Sequence, residues 1–303
     1  MPIRVILDTD IGTDVDDCLA LAFLLSSPEI QLEAVTCVYG DVTLRAKMVR
    51  KLLRLRGRDD ISIHLGVEKP LLGRVPVYWP GHEGVGLLDA SDDLPLAITR
   101  PAVDHIIRQV LAHPGEIHLV AIGPLTNVAL ALLREPRLAR NVGHLTIMGG
   151  AGRGPGLFDL PYAEHNIKCD PEAAHVVLTS GAPITLIPLD VTTRVKIRLA
   201  DTARIRQAGT PFQVAVAEQV DVYPPFKNRG WTHLHDPLAA ASLVRPDLLG
   251  FESLHVDVEL GGQYATAATL MRQPTADAPA NARVALTVQT DEFERFFAER
   301  LAG

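Results

Sequence analysis

Cysteine is scarce in this chain: three in 303 residues, at Cys18, Cys37 and Cys169, an odd number without metal-ligand spacing. That excludes a disulfide framework and leaves three small, buried apolar residues in a reducing compartment. Positive charge is also in deficit, with 29 Lys and Arg against 36 Asp and Glu and a formal charge of -7. Nucleic acid is therefore excluded as the main partner, because neutralising phosphates takes concentrated Lys and Arg. The single basic stretch, from Arg45 to Arg56, has no aromatic residues between its charges and reads as a solvated helix face. No apolar run is long enough to span a bilayer. The opening MPIRVILDTD leads straight into a strand pattern without room for a signal peptide, so a cytoplasmic protein with no membrane partner is expected. The glycine-rich run GGAGRGPG lacks both GxGxxG spacing and a following Lys-Ser or Lys-Thr pair, which argues against a phosphate cradle and for backbone that approaches a ligand closely.

What the chain does have in excess is carboxylate at one place. Residues 3–7 are almost wholly apolar and run into DTDIGTDVDD, which sets Asp8, Asp10, Asp14, Asp16 and Asp17 within ten positions before an apolar helical pattern begins at Cys18. Mutual repulsion at the end of a buried strand costs free energy unless a cation or a proton is shared there, so the loop reads as a hard-metal site. Open α/β sheets bind their ligands at the carboxyl ends of such strands.

Strand and helix patterns alternate for about two thirds of the chain. Strands are predicted over 3–7, 31–39, 61–65, 117–122, 144–148 and 184–187, and less distinctive ones over 254–260 and 284–288. Helices are predicted over 18–26, 43–57, 102–112, 201–207 and 212–222. The pattern is that of one α/β domain over 1–303, an open and mostly parallel central sheet flanked by helices. The long aperiodic segment 66–98 carries Tyr78, Trp79, His82 and Glu83, and loops of that length are usually functional. Its aromatics suit either a flat ligand or a plug against the core. In AEHNIKCDPEAA, Asp170, Pro171 and Glu172 are explained as a helix start. Glu164 and Asn166 precede it in what reads as irregular chain, where an acceptor and an amide suit hydroxyl groups. Asp236 opens another helix beside His235, the side chain best suited to handling a proton near neutral pH.

DTDIGTDVDD, AIGPLTN, IMGGA, AEHNIKCDPEAA and HDPLAA occur in that order, and with them the sequence resembles the inosine-uridine preferring nucleoside hydrolases. The resemblance implies a Rossmann-like nucleoside hydrolase fold with one Ca2+. It implies Asp10, Asp17 and Asp236 as metal carboxylates, the backbone carbonyl of Thr126 as a further ligand, and Asp16 as the general base. Glu164 and Asn166 fall on ribose-binding positions and His235 on the one that assists the departing base. The implied substrate is a ribonucleoside, with inosine, uridine or other pyrimidine ribosides favoured by a His before Asp236. The implied assembly is a homodimer or homotetramer. The chain departs from the family pattern at several candidate substrate contacts. Asp41 stands where Asn is common, His165 where Phe is, and Phe158 where an Asn for the 5′ hydroxyl often is. The nearest match to the family's His-Gly pattern is around His82, near Trp79, and Asp14 is an extra carboxylate. The competing readings are a nucleoside-binding protein without turnover and a Mg2+-dependent phosphatase of the haloacid dehalogenase type.

Overall fold

The computed structural model describes residues 1–97, 100–154 and 156–303. Eleven strands form among them: β1 (Ile3–Thr9), β2 (Ile30–Cys37), β3 (Ser62–Leu65), β4 (Ile117–Ala121), β5 (His144–Met148), β6 (Ile184–Ile187), β7 (Lys196–Arg198), β8 (Trp231–His233), β9 (Leu249–Val258), β10 (Thr269–Arg272) and β11 (Ala282–Val288). Nine of them make one sheet in the order β10-β9-β11-β6-β5-β4-β1-β2-β3. The run from β11 to β3 is parallel throughout, and β9 and β10 add an antiparallel edge. β7 and β8 pair separately as an antiparallel ribbon.

The apolar character of β1 follows from its central position. Val5 and Leu7 belong to the hydrophobic cluster on one face, and Ile6 to the cluster on the other. Successive side chains of a strand point to opposite faces, so a parallel strand covered on both sides has to be apolar at nearly every position. Each such fully buried Leu or Ile contributes roughly 2 kcal/mol by removing apolar surface from water.

The order reverses at β1, which lies between β2 and β4. The helix after β1, Asp16–Leu25, packs Leu19 and Phe23 into one cluster. The helix after β4, Thr126–Arg134, packs Val128 and Leu132 into the other. Because these two connections leave on opposite faces, a crevice opens between the carboxyl ends of β1 and β4.

Several boundaries differ from those predicted. β1 continues through Asp8 and Thr9 because the Asp8 carboxylate finds donors inside the fold: Thr36 Oγ1 at 2.5 Å and Asn127 Nδ2 at 2.8 Å. The first helix begins at Asp16, before the apolar run, so Asp16 and Asp17 occupy its first turn, where the helix dipole favours negative charge. Residues 66–97 contain neither helix nor strand, as expected of that segment, although Ile98 lies outside the described residues. Its backbone is tied down at several points, by Asn127 Oδ1 to Val67 N–H (2.9 Å), Asp170 Oδ2 to Leu71 N–H (2.8 Å) and the Tyr39 hydroxyl to Tyr78 N–H (2.8 Å). Among the described residues no helix is long and apolar enough to cross a membrane, and all three cysteines are free and buried.

The basic helix is not solvated all round. Arg45, in Val42–Arg56, is fully buried. The glycine-rich loop after β5 also differs from expectation. Its N–H groups are taken by protein acceptors: Asp190 binds Gly152 (2.7 Å) and Gly154 (3.2 Å), and Glu164 Oε2 binds Gly150 (3.1 Å). Asp190, buried, is the partner that the sequence pattern did not reveal; Pro155 lies outside the described residues.

Candidate active site

The crevice holds a cavity of about 540 Å³, lined on its acidic side by Asp10, Asp14, Asp16, Asp17, Glu164 and Asp236. Carboxylate oxygens of Asp16, Asp17 and Asp236 lie within 4.8 Å of one another, and all three residues are buried. Burial is the main force raising their proton affinity well above that of an ordinary carboxylic acid. Repulsion adds to it, from Asp14 and Asp17 at Asp16, from Asp10 at Asp17, and from Asp16, Asp17 and Asp10 at Asp236. A hard divalent cation would relieve both effects at once, and a set of carboxylate oxygens suits such an ion.

The chain holds this unfavourable charge in place with local donors. Thr9 Oγ1 donates to Asp17 Oδ1, and the same hydroxyl accepts from Ile11 N–H at 3.1 Å. The N–H of Asp236 donates to Asp16 Oδ2 at 3.2 Å. Beneath the loop lies Arg45. It donates to the carbonyls of Asp10, Ile11 (2.7 Å) and Tyr39 (2.6 Å) and to Thr13 Oγ1 (2.8 Å). Its positive charge moderates the burial penalty on Asp10 and Asp17. Gly123, in the turn after β4, is required by close approach. A Cβ there would stand 2.7 Å from Asp10 Oδ1 and 2.9 Å from Asp10 N.

Asp236 does not cap its helix. The helix His235–Ala241 starts before Pro237, with Leu234 at the cap position, so the Asp236 carboxylate is left to the acidic cluster. Glu164 and Asn166, in turn, are not in irregular chain. Glu164 caps the short helix His165–Cys169 by accepting from Asn166 N–H (2.9 Å) and Ile167 N–H (3.1 Å), and burial raises its proton affinity. The Asn166 amide donates to the carbonyls of Ile122 (2.7 Å) and Met148 (3.3 Å). Both residues nevertheless line the cavity.

His235 also lines it. Its Nδ1 is 2.7 Å from Thr192 Oγ1. Burial, then the nearby His233 and Arg229, lower its pKa to about 3, so the ring is neutral. His82 and His165 complete the predicted lining: His82 Nε2 is 3.0 Å from the Thr13 carbonyl, and His165 meets Tyr78 edge-on at 5.6 Å.

Three candidate substrate contacts, and one metal ligand, fall outside the lining. Asp41 is exposed and caps the helix Val42–Arg56 through Leu44 N–H at 2.9 Å, which accounts for its carboxylate. Trp79 is the plug: its ring sits over Gly40 and 4.9 Å from the Arg45 guanidinium. Phe158 is 79 % exposed, since the loop carrying it turns outward with Arg153 bound to its carbonyl at 3.0 Å. Thr126 is buried at the start of the helix Thr126–Arg134, its hydroxyl donating to Asp170 Oδ2 at 2.7 Å. Sequence reasoning passed over Thr192, Tyr223 and Leu189, which carry no motif. Tyr223 lines the cavity, where burial and then the nearby Asp14 push its phenol pKa up, while the Asp14 carboxylate accepts from Val15 N–H at 2.6 Å.

The chain is similar along its length to known nucleoside hydrolases. The family model for the inosine-uridine preferring nucleoside hydrolases matches residues 5–295, including the C-terminal strands that were indistinct in sequence. The pyrimidine-specific ribonucleoside hydrolase RihA of Citrobacter koseri is 36 % identical over 317 aligned residues, covering 100 % of this chain and 99 % of that one. The non-specific ribonucleoside hydrolase RihC of Salmonella typhimurium is 36 % identical over 308, covering 99 % and 98 %. Among solved structures, a plant nucleoside hydrolase, PpNRh1, superimposes with a TM-score of 0.89 at 31 % identity, covering 100 % of both chains. A purine-preferring ribonucleoside hydrolase from Gardnerella vaginalis does so with 0.89 at 30 %, covering 99 % and 98 %.

Proposed function

The chain belongs to the inosine-uridine preferring nucleoside hydrolase family, and we propose that it is a Ca2+-dependent N-glycosidase that cleaves ribonucleosides to ribose and free base. The observation that carries this reading is the buried carboxylate cluster at the switch point of the sheet, inside a cavity of about 540 Å³.

Asp10, Asp17, Asp236 and the carbonyl of Thr126 are the proposed ligands. Bound calcium supplies positive charge that offsets the carboxylates and an oxygen-seeking centre for ribose hydroxyls. Asp16 is held by the Asp236 N–H and takes the proton of the water that attacks C1′. Cleavage passes through an oxocarbenium-like state, and the anionic lining stabilises that developing positive charge. Glu164 and Asn166 hold ribose hydroxyls, with His165 beside them. His235 donates a hydrogen bond to the base as it departs, and His82 and Tyr223 also line the cavity. Inosine, uridine and other pyrimidine ribosides are the proposed substrates, and the enzyme is proposed to act in the cytoplasm, in nucleoside salvage, as a homodimer or homotetramer of single-domain chains.

A nucleoside-binding protein without turnover would keep the same cavity. Substituting Asp16→Asn separates the two: a hydrolase loses roughly 10²–10⁴-fold in turnover, the range that a positioned base supplies, while nucleoside binding persists. Wild-type protein that binds nucleosides and releases no ribose would instead be the binder.

A further inference from the structure

Thr192 ends a single-turn helix, Leu189–Thr192, that follows β6, and it is completely buried. Its hydroxyl has one partner among the described residues, Nδ1 of His235 at 2.7 Å. A hydrogen bond at that distance joins the two atoms in one of two senses. If Nδ1 carried the hydrogen and donated it, the Thr192 O–H would be left without an acceptor in a dry environment, which is costly. If the hydroxyl donates, both groups are satisfied, Nδ1 as acceptor carries no hydrogen, and the ring's hydrogen sits on Nε2. Nε2 has no partner among the described residues, and the ring lines the cavity.

We infer that Thr192 is a positioning residue for the glycosidic cleavage: by donating to Nδ1 it fixes the His235 tautomer that presents an Nε2–H donor to the departing base. The inference rests on the hydrolase reading given above. When the C1′–N bond breaks, its electron pair passes to the base, water oxygen bonds to C1′, and the water proton goes to Asp16. The Nε2–H stabilises the charge gathering on the base, which collects its own proton from solvent afterwards, so the imidazole neither gains nor loses one. Neither Thr nor His at these separate positions announces the pairing in sequence, because they are 43 residues apart.

The test compares wild type, Thr192→Val and Thr192→Ser on uridine, inosine and 4-nitrophenyl ribofuranoside, whose nitrophenolate leaves without help from a donor. Thr192→Val keeps the shape and removes the hydroxyl. The expected result is a loss of about ten- to hundredfold in kcat on the nucleosides with little change in KM, as befits a lost donor to the leaving group. The nitrophenyl substrate should be cleaved at the wild-type rate, and Thr192→Ser should recover most nucleoside turnover. Equal losses on both kinds of substrate would mean that Thr192 only shapes the site, and no loss on either would mean that it does nothing to His235; each overturns the inference. Wild type that cleaves neither substrate would remove the hydrolase reading itself, and this inference with it.

Discussion

The backbone N–H of Asp236 donates to the carboxylate of Asp16 at 3.2 Å, joining residues 220 positions apart. One of these residues opens the first helix and the other stands at the start of His235–Ala241, so two helix N-termini converge on the same acidic cluster. Helix N-termini attract anions. Here the anions are the protein's own, and their surplus is what a cation is needed to balance.

That surplus makes Asp236 a stability liability without metal. Replacing Asp236 by Asn keeps the backbone bond to Asp16 and removes one of the crowded charges. The metal-free variant should be as stable as metal-free wild type or more so in chemical denaturation, and it should bind Ca2+ at least tenfold more weakly by calorimetry, which is about 1.4 kcal/mol. Undiminished Ca2+ affinity would remove Asp236 from the ligand set.

Arg45 is the counterweight beneath the loop. Arg45→Met fills much of the same volume but strands the carbonyls of Tyr39, Asp10 and Ile11. A loss of about 3 kcal/mol in unfolding free energy is expected, since breaking up a buried charged network is strongly destabilising. Urea denaturation measures it, and a change below about 0.5 kcal/mol, the range of ordinary surface substitutions, would contradict the role.

Gly123→Ala puts a methyl group 2.7 Å from Asp10 Oδ1. The turn after β4 has to shift to accept it, which displaces Asp10 from the cavity. Catalytic efficiency should fall about tenfold or more, since small misplacements of reacting groups are expensive. Unchanged kinetics would show that Asp10 is not needed where it stands.

The stacked pair His64 and His105, with ring centroids 3.7 Å apart, is not part of the cavity lining. Burial first, then the His64 charge, lower the pKa of His105 to about 4. Unfolded chains protonate this ring near pH 6.5, so between about 6.5 and 4 the unfolded state binds the extra proton. Stability therefore falls as pH falls through that window, and above it the pair contributes no pH dependence. Nε2 of His105 is buried without a partner, so His105→Phe keeps the stack at little cost. Its melting temperature should decline less than that of wild type between pH 7 and pH 5. Parallel curves would contradict the assignment.

The sheet and the acidic loop were legible in sequence because both are local signals: an apolar strand, then carboxylates at fixed spacing. Placement of Asp16, Asp17 and Asp236 in one cluster was reachable only through the family pattern, since no local rule brings residue 236 to residue 16. Asp41 and Trp79, expected among the substrate contacts, stand outside the cavity lining, Asp41 capping a helix and Trp79 covering Gly40; capping and plugging use the same residue types as binding. Arg45 was hidden in a run of residues of the same charge, where helical periodicity alone cannot separate a buried cation from an exposed one. Thr192 gave no signal at all, because a hydroxyl that orients a histidine has no spacing requirement.

Ribose release from inosine, uridine, cytidine, adenosine and guanosine, measured with Ca2+, after exhaustive chelation and after Ca2+ is restored, tests the proposed hydrolase most directly. Sugar should be released with Ca2+, fastest from inosine, uridine or another pyrimidine riboside, lost on chelation and regained with the metal. Full activity in protein shown to be free of metal, or no ribose from any nucleoside with Ca2+ bound, would contradict it.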